Sequence, residues 1–143
     1  MIYSLDNFID NDLFNIATKY LDDGDFIKHS VGEKDFYVQE SPELFDNYVL
    51  SKLSITEGKE LENILSFFRV STDKVDTHIT DEVYDDMIRV DSENLDMWRL
   101  VSVSGYEQNR LISYPATYFH SKYPNKSWEA GRQVYVMFYK FKN

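Results

Sequence analysis

A chain of 143 residues, with 25 acidic against 15 basic side chains and a net charge of −10, is long enough for one domain with a buried core and too short for most two-domain layouts. The acidity excludes a phosphate-backbone binder, which needs a basic face, so no nucleic-acid partner is expected. The absence of cysteine excludes disulfides, zinc–thiolate sites and cysteine nucleophiles, and 16% aromatic residues exclude a disordered chain.

Met1–Asp6 has neither the basic nor the apolar part of a leader, and no apolar run approaches the ~20 residues of a membrane span. A cytoplasmic protein with no membrane partner is expected. Asp10 can cap a helix over Asn11–Leu21, in which Leu13, Phe14, Ala17, Tyr20 and Leu21 recur at helical spacing, with Gly24 as its stop. Phe36–Gln39 reads as a short strand. Ser41 and Pro42 open a second helix carrying Leu44, Phe45, Tyr48 and Val49. Thr56–Glu60 opens a third, carrying Leu61, Ile64 and Leu65. Phe67–Ser71 is a strand candidate.

Thr80–Val90 is again helical, with Asp81 and Glu82 in its first turn, where they favour the helix dipole. The rest reads as strands: Trp98–Val103, Arg110–Tyr114, Thr117–His120 and Gln133–Phe141. A single α+β domain over 1–143 is therefore expected. Its first part, 1–65, is mainly helical support; 66–143 is a β-rich core with an acidic helical insert at 80–96. The insert's Asp85, Asp86, Asp91, Glu93 and Asp96 read as a solvated face.

Three histidines bear on chemistry. His29 follows an acidic loop and reads as an ordinary surface residue. His120 ends one predicted strand and Arg132 opens the next, so the two can lie close together. A metal at the histidine, with a dicarboxylate between metal and arginine, suits that pair, because arginine grips carboxylates bidentately. No P-loop, G-x-G-x-x-G or G-x-S-x-G sequence is present, so nucleotide and serine-hydrolase sites have no support.

The stretch N-R-L-I-S-Y-P-A-T-Y-F-H-S-K-Y-P-N from Asn109, followed by G-R-Q-V-Y-V-M-F-Y to Tyr139, resembles the C-terminal half of the 2-oxoglutarate- and Fe(II)-dependent oxygenases. The likeness is to their small prolyl-hydroxylase-like bacterial and phage members. The opening I-Y-S-L-D-N-F-I-D-N-D-L-F and the central S-F-F-R-V-S-T-D-K-V-D-T-H-I are similar to the matching parts of such proteins. The resemblance implies a double-stranded β-helix, a cupin-like jelly roll, backed by N-terminal helices. It implies iron on a facial triad of two histidines and a carboxylate. His120 is then the distal ligand, with His78 and Asp81 as the other two. Arg132 takes the far carboxylate of the co-substrate 2-oxoglutarate, and Asn109 and Tyr114 line the pocket. The implied reaction is hydroxylation of a C–H bond in a small molecule or peptide, coupled to oxidative decarboxylation of 2-oxoglutarate.

Two departures stand beside the resemblance. The family's first two ligands come as H-x-D, whereas this chain has His78-Ile79-Thr80-Asp81, one residue longer. In a strand, residues two apart share a face and residues three apart do not. Asp81 is also an ordinary acidic residue for a first helical turn. The strands that relatives place between H-x-D and the segment matching Trp98–Val103 are lacking as well. The alternative is therefore a shortened, non-catalytic relative that serves as a binding or structural module.

Overall fold

The computed structural model describes residues 1–31, 34–71, 96, 99–118 and 132–143. Among these the fold is α+β, with two helices and two antiparallel sheets. In chain order the elements are β1 (Tyr3–Leu5), α1 (Asn11–Asp23), β2 (Ile27–Val31), β3 (Lys34–Glu40), α2 (Glu43–Glu57), β4 (Leu61–Ser71), β5 (Leu111–Ser113) and β6 (Arg132–Phe141). The larger sheet has the order β2-β3-β4-β6, and β1 pairs with β5 in a separate ribbon. The described residues form no closed barrel.

α1 begins where the sequence indicates, but Asp10 caps it without a side-chain bond to the helix. The Asp10 carboxylate instead accepts from the Tyr48 hydroxyl at 2.6 Å and from Lys52 Nζ at 3.3 Å, fastening the start of α1 to α2. Gly24 ends α1 in extended backbone, so it is not chosen for a left-handed turn. Space decides it: a Cβ there would collide with Gln39 Oε1 and the Tyr20 carbonyl.

α2 starts after Pro42, whose φ of −62° suits the entry to a helix, and Glu43 and Asp46 favour the dipole in its first turn. The helix runs through Thr56 and Glu57, where the sequence suggests a third helix beginning. Gly58 stops it in the left-handed region, φ 65°, with its N–H on the Ile55 carbonyl and the Lys59 N–H on that of Ser54. Residues 61–71 then form a strand. The apolar positions Leu61, Ile64, Leu65 and Phe68 imitate helical spacing because the β4–β6 register shifts between Asn63 and Leu65. Ile64 is the extra residue of that bulge, which moves the strand's apolar period by one.

Further expectations change for physical reasons. Four strands lie within the first 71 residues, beside the two helices, so 1–65 is not mainly helical. Thr117 and Tyr118 lie in a turn closed by the Tyr118 N–H on the Pro115 carbonyl, not in a strand. The described part of Trp98–Val103, residues 99–103, forms no ladder, although its apolar and polar residues alternate. The helix expected at 80–90 lies outside the described residues.

Both helices pack on one face of the larger sheet. Leu53 and Phe68 are each only 1% exposed. The Phe68 ring lies 5.2 Å from Tyr20, 5.4 Å from Phe45 and 5.3 Å from Tyr135, centroid to centroid. Ile9, Ala17, Phe45, Val49 and Leu61 complete the buried core, with Met137 and Tyr139 of β6 packed against it. Burying a side chain of this size contributes about 1.5–3 kcal/mol, so this face holds the helices to the sheet.

Candidate functional site

Strand alternation sends every second residue of the larger sheet away from the helices. The register aligns these residues in rows across the strands. One row is Ile27, Val38, Arg69 and Val134; the next is Glu40, Phe67 and Val136; the third is Leu65 and Phe138. These three rows are apolar apart from Arg69 and Glu40, while polar residues lie beyond them at both ends of the same face. An antiparallel sheet with one face in water alternates apolar with polar residues; this one carries apolar residues on both faces.

The row beyond Arg69 is His29, Phe36, Ser71 and Arg132. Arg132 therefore starts β6 opposite the last residue of β4. In the sequence, Ser71 is followed by the segment that carries His78 and Asp81, and Arg132 is preceded by the segment that carries His120. The two segments that carry the candidate ligands thus join the sheet at one paired position. His78, Asp81 and His120 themselves lie outside the described residues. Among the described residues no three histidines or carboxylates gather in a way that could hold a metal.

Arg69 is the charge that the sequence reading passes over, since F-F-R-V-S looks like any short strand. The structure makes it an interior-strand residue, half-buried between Val38 and Val134. Burial pulls its guanidinium below the ordinary arginine range. The available signal was an arginine inside an apolar strand run, where a charge is retained only with an opposite charge to meet.

The other two expected pocket residues sit elsewhere. Asn109 adopts a positive φ of 56°. Its Nδ2 donates to the Ile9 carbonyl at 2.7 Å and its Oδ1 accepts the Ile9 N–H at 3.0 Å. Its own carbonyl accepts the Phe8 N–H at 3.0 Å. The side chain is thus a clasp on the entry to α1. Tyr114 is partly exposed and follows Ser113, whose hydroxyl meets that of Tyr139 at 2.8 Å. Tyr139 and Arg132 lie toward opposite ends of β6, roughly 23 Å apart along the strand. The structure does not bring Tyr114 to the start of β6.

Two hydroxyl–carboxylate clusters brace the helix-facing side. Tyr3 and Tyr139 both donate to Glu57 Oε1, at 2.6 and 3.2 Å. Tyr135 and Ser41 both donate to Asp46 Oδ1, each at 2.6 Å. Burial, and then the neighbouring carboxylate, raise the Tyr3 and Tyr135 phenols well above their ordinary range. Phenols held protonated in this way act as bolts and not as acids or bases near neutrality. A shallow depression of about 300 Å³ beside α2 is lined by Leu5, Asp6, Phe8, Lys52, Ile55 and Thr56 and contains no expected site residue.

No protein-family model, curated protein or solved structure matches this chain. Among the described residues no helix is long and apolar enough to cross a membrane.

Proposed function

We propose that the chain is a 2-oxoglutarate- and Fe(II)-dependent oxygenase acting on a C–H bond of a small molecule or peptide. The four-stranded sheet is one wall of its double-stranded β-helix. The observation that carries the reading is the Ser71–Arg132 pairing, where both segments bearing candidate ligands meet the sheet beside an apolar face that holds a half-buried arginine. A sheet with two apolar faces calls for a second layer, and the jelly roll supplies one.

In this reading His78, Asp81 and His120 hold the metal, whose nitrogen and oxygen donor set suits ferrous iron. Bound iron would supply oxygen activation. Arg132 fixes the far carboxylate of 2-oxoglutarate through a bidentate, charge-assisted pair, which orients the co-substrate. The neighbouring apolar residues Val134, Val136 and Phe67 lower the local dielectric beside that pair and strengthen it.

The test is spectroscopic. Anaerobic addition of Fe(II) and 2-oxoglutarate to the protein should give the weak visible charge-transfer band of the chelated complex, and H120A should abolish it. No band, together with no metal-dependent thermal shift, would overturn the proposal. The His78–Asp81 spacing favours a second reading, in which the same scaffold binds without catalysis. Succinate formation from 2-oxoglutarate by the wild type, lost in H120A, excludes that reading.

A further inference from the structure

We propose that the bulged end of the β4–β6 pair is a docking surface for a second copy of this chain, making a two-fold dimer. The inference is separate from the reading above, because Phe138 lies roughly 20 Å along β6 from Arg132. The bulge creates the surface. Ile64 and Leu65 together stand opposite Phe138, two residues against one. Ile64, Leu65 and Phe138 are 55%, 53% and 45% exposed, whereas Phe67 and Val136 in the adjoining outer row are half-buried. Three large apolar side chains thus meet solvent together at one end of the sheet. Scattered single ones would need no explanation; a group of them marks a contact surface.

Charge selects the occupant. The next outer pair along the strands is Glu62 and Lys140, whose side chains form an ion pair at 3.3 Å. Beyond it Lys142 meets Glu60 at 3.8 Å. The border of the patch therefore carries both signs in balance, in a chain whose net charge is −10. A strongly basic or strongly acidic partner would be matched by a border of one sign. A two-fold interface needs a border that is its own complement, because the same patch serves both subunits. With the pair reversed across the axis, Glu62 of one copy faces Lys140 of the other. Over the rest of the surface the acidic excess makes two copies repel, so this balanced end is where they approach.

Ile64, Leu65 and Phe138 then form the centre of the contact, sheet against sheet at about 10 Å, and the charged residues form its rim. Three apolar residues from each copy make a small centre, against the ~20–30 residues that a standard interface engages on each side. The dimer is accordingly weak and concentration-dependent.

Sedimentation equilibrium of the full chain, from micromolar to near-millimolar concentration, tests the inference, with the urea midpoint of each variant measured in dilute solution. Wild type should show a reversible monomer–dimer equilibrium. Phe138→Thr, which keeps a strand-favouring residue, should weaken dimerisation about tenfold or more and leave the urea midpoint near that of wild type. Glu62→Lys and Lys140→Glu should each weaken the homodimer, because like charges then face each other across the axis. An equimolar mixture of these two variants should dimerise several-fold more tightly than either alone, since every facing pair is again opposite. Loss of folding cannot imitate that recovery, so the charge variants decide if Phe138→Thr does not fold.

Monomer alone at every concentration would overturn the inference. A lowered urea midpoint in Phe138→Thr would then give the patch to another segment of this chain, and an unchanged one to a partner of different sequence. A dimer as tight in Phe138→Thr and in both charge variants as in wild type would also overturn it, by placing the contact elsewhere.

Discussion

The Tyr3 hydroxyl donates to Glu57 Oε1 at 2.6 Å, joining the first strand of the chain to the last residue of α2. Glu57 accepts from Tyr139 through the same oxygen, so one carboxylate oxygen ties together β1, α2 and β6. Removing the Tyr3 hydroxyl leaves the Tyr139 bond in place. Tyr3→Phe should therefore cost about 0.5–1.5 kcal/mol in urea unfolding, the usual net value of such a bond. Glu57→Leu, which leaves two phenols without their acceptor, should cost more than Tyr3→Phe.

The same cluster sets an alkaline limit. The folded pKa values of Tyr3 and Tyr135 are raised above the 10.0 of a free phenol. Above pH 10 the unfolded chain has lost these protons while the folded chain retains them, so stability falls as pH rises. Below pH 10 the contribution is fully present. Ultraviolet titration should show at least two tyrosines that ionise only on alkaline unfolding, and Tyr135→Phe should reduce their number by one.

At acid pH the ion pairs act with the opposite sign. Arg110 donates from Nε and Nη2 to Asp6, and this hydrogen bonding, with the guanidinium charge, lowers the Asp6 pKa. Tyr48 and Lys52 do the same for Asp10. Groups whose folded pKa is lowered add stability above their unfolded pKa and lose it as pH falls through the folded value. Asp6→Asn and Asp10→Asn should each flatten the stability curve below about pH 4, and 1 M salt should shrink the difference for these exposed pairs.

Asn109 holds Ile9 by both ends of its amide. Asn109→Ala strands the Ile9 N–H and carbonyl and places an alanine at positive φ. A loss of about 2–4 kcal/mol is expected from these two effects together. Asn109→Asp keeps the acceptor but sets a carboxylate against the Ile9 carbonyl, so it should lie between wild type and Asn109→Ala. Denaturant midpoints read this order directly.

The two glycines at the helix ends separate steric from conformational cost. Gly24→Ala forces a methyl group into Gln39 Oε1 and the Tyr20 carbonyl, for roughly 1–3 kcal/mol of overpacking. Gly58→Ala meets nothing within 4 Å, so its cost is only the left-handed backbone, about 1–2 kcal/mol. Gly58→Asn should recover part of that loss, because asparagine tolerates this conformation; Gly24→Asn should not.

Where sequence and structure agree, the local signal and the tertiary outcome coincide. The period of Leu13, Phe14, Ala17 and Leu21 is that of a helix face, and α1 packs on the core through that side. Long β-branched and aromatic runs in Gln133–Phe141 gave β6 within one residue of its start. Where they disagree, tertiary geometry reuses a local pattern. The bulge at Ile64 gives a strand helical spacing, and α2 absorbs Thr56 and Glu57 because Gly58, not Gly24, is the left-handed stop. The start of β6 at Arg132 was legible from the apolar run that follows it, whereas the half-buried place of Arg69 emerged only once the register set it between Val38 and Val134. Asn109 reads from the resemblance as a pocket residue, and its partner Ile9 lies a hundred residues away, a pairing that no local pattern encodes.

The pairing of β4 with β6 also governs the order in which the molecule can be completed. Residues 61–71 and 132–141 sit side by side, yet β4 leaves the ribosome long before its partner strand exists. Until the last strand is made, β4 presents an unpaired edge that carries Phe67 and Phe68, the kind of edge that recruits other chains. Loop closure over this separation slows folding relative to a hairpin of equal stability. The emerging chain is therefore most exposed to misassociation in the interval between the synthesis of β4 and that of β6.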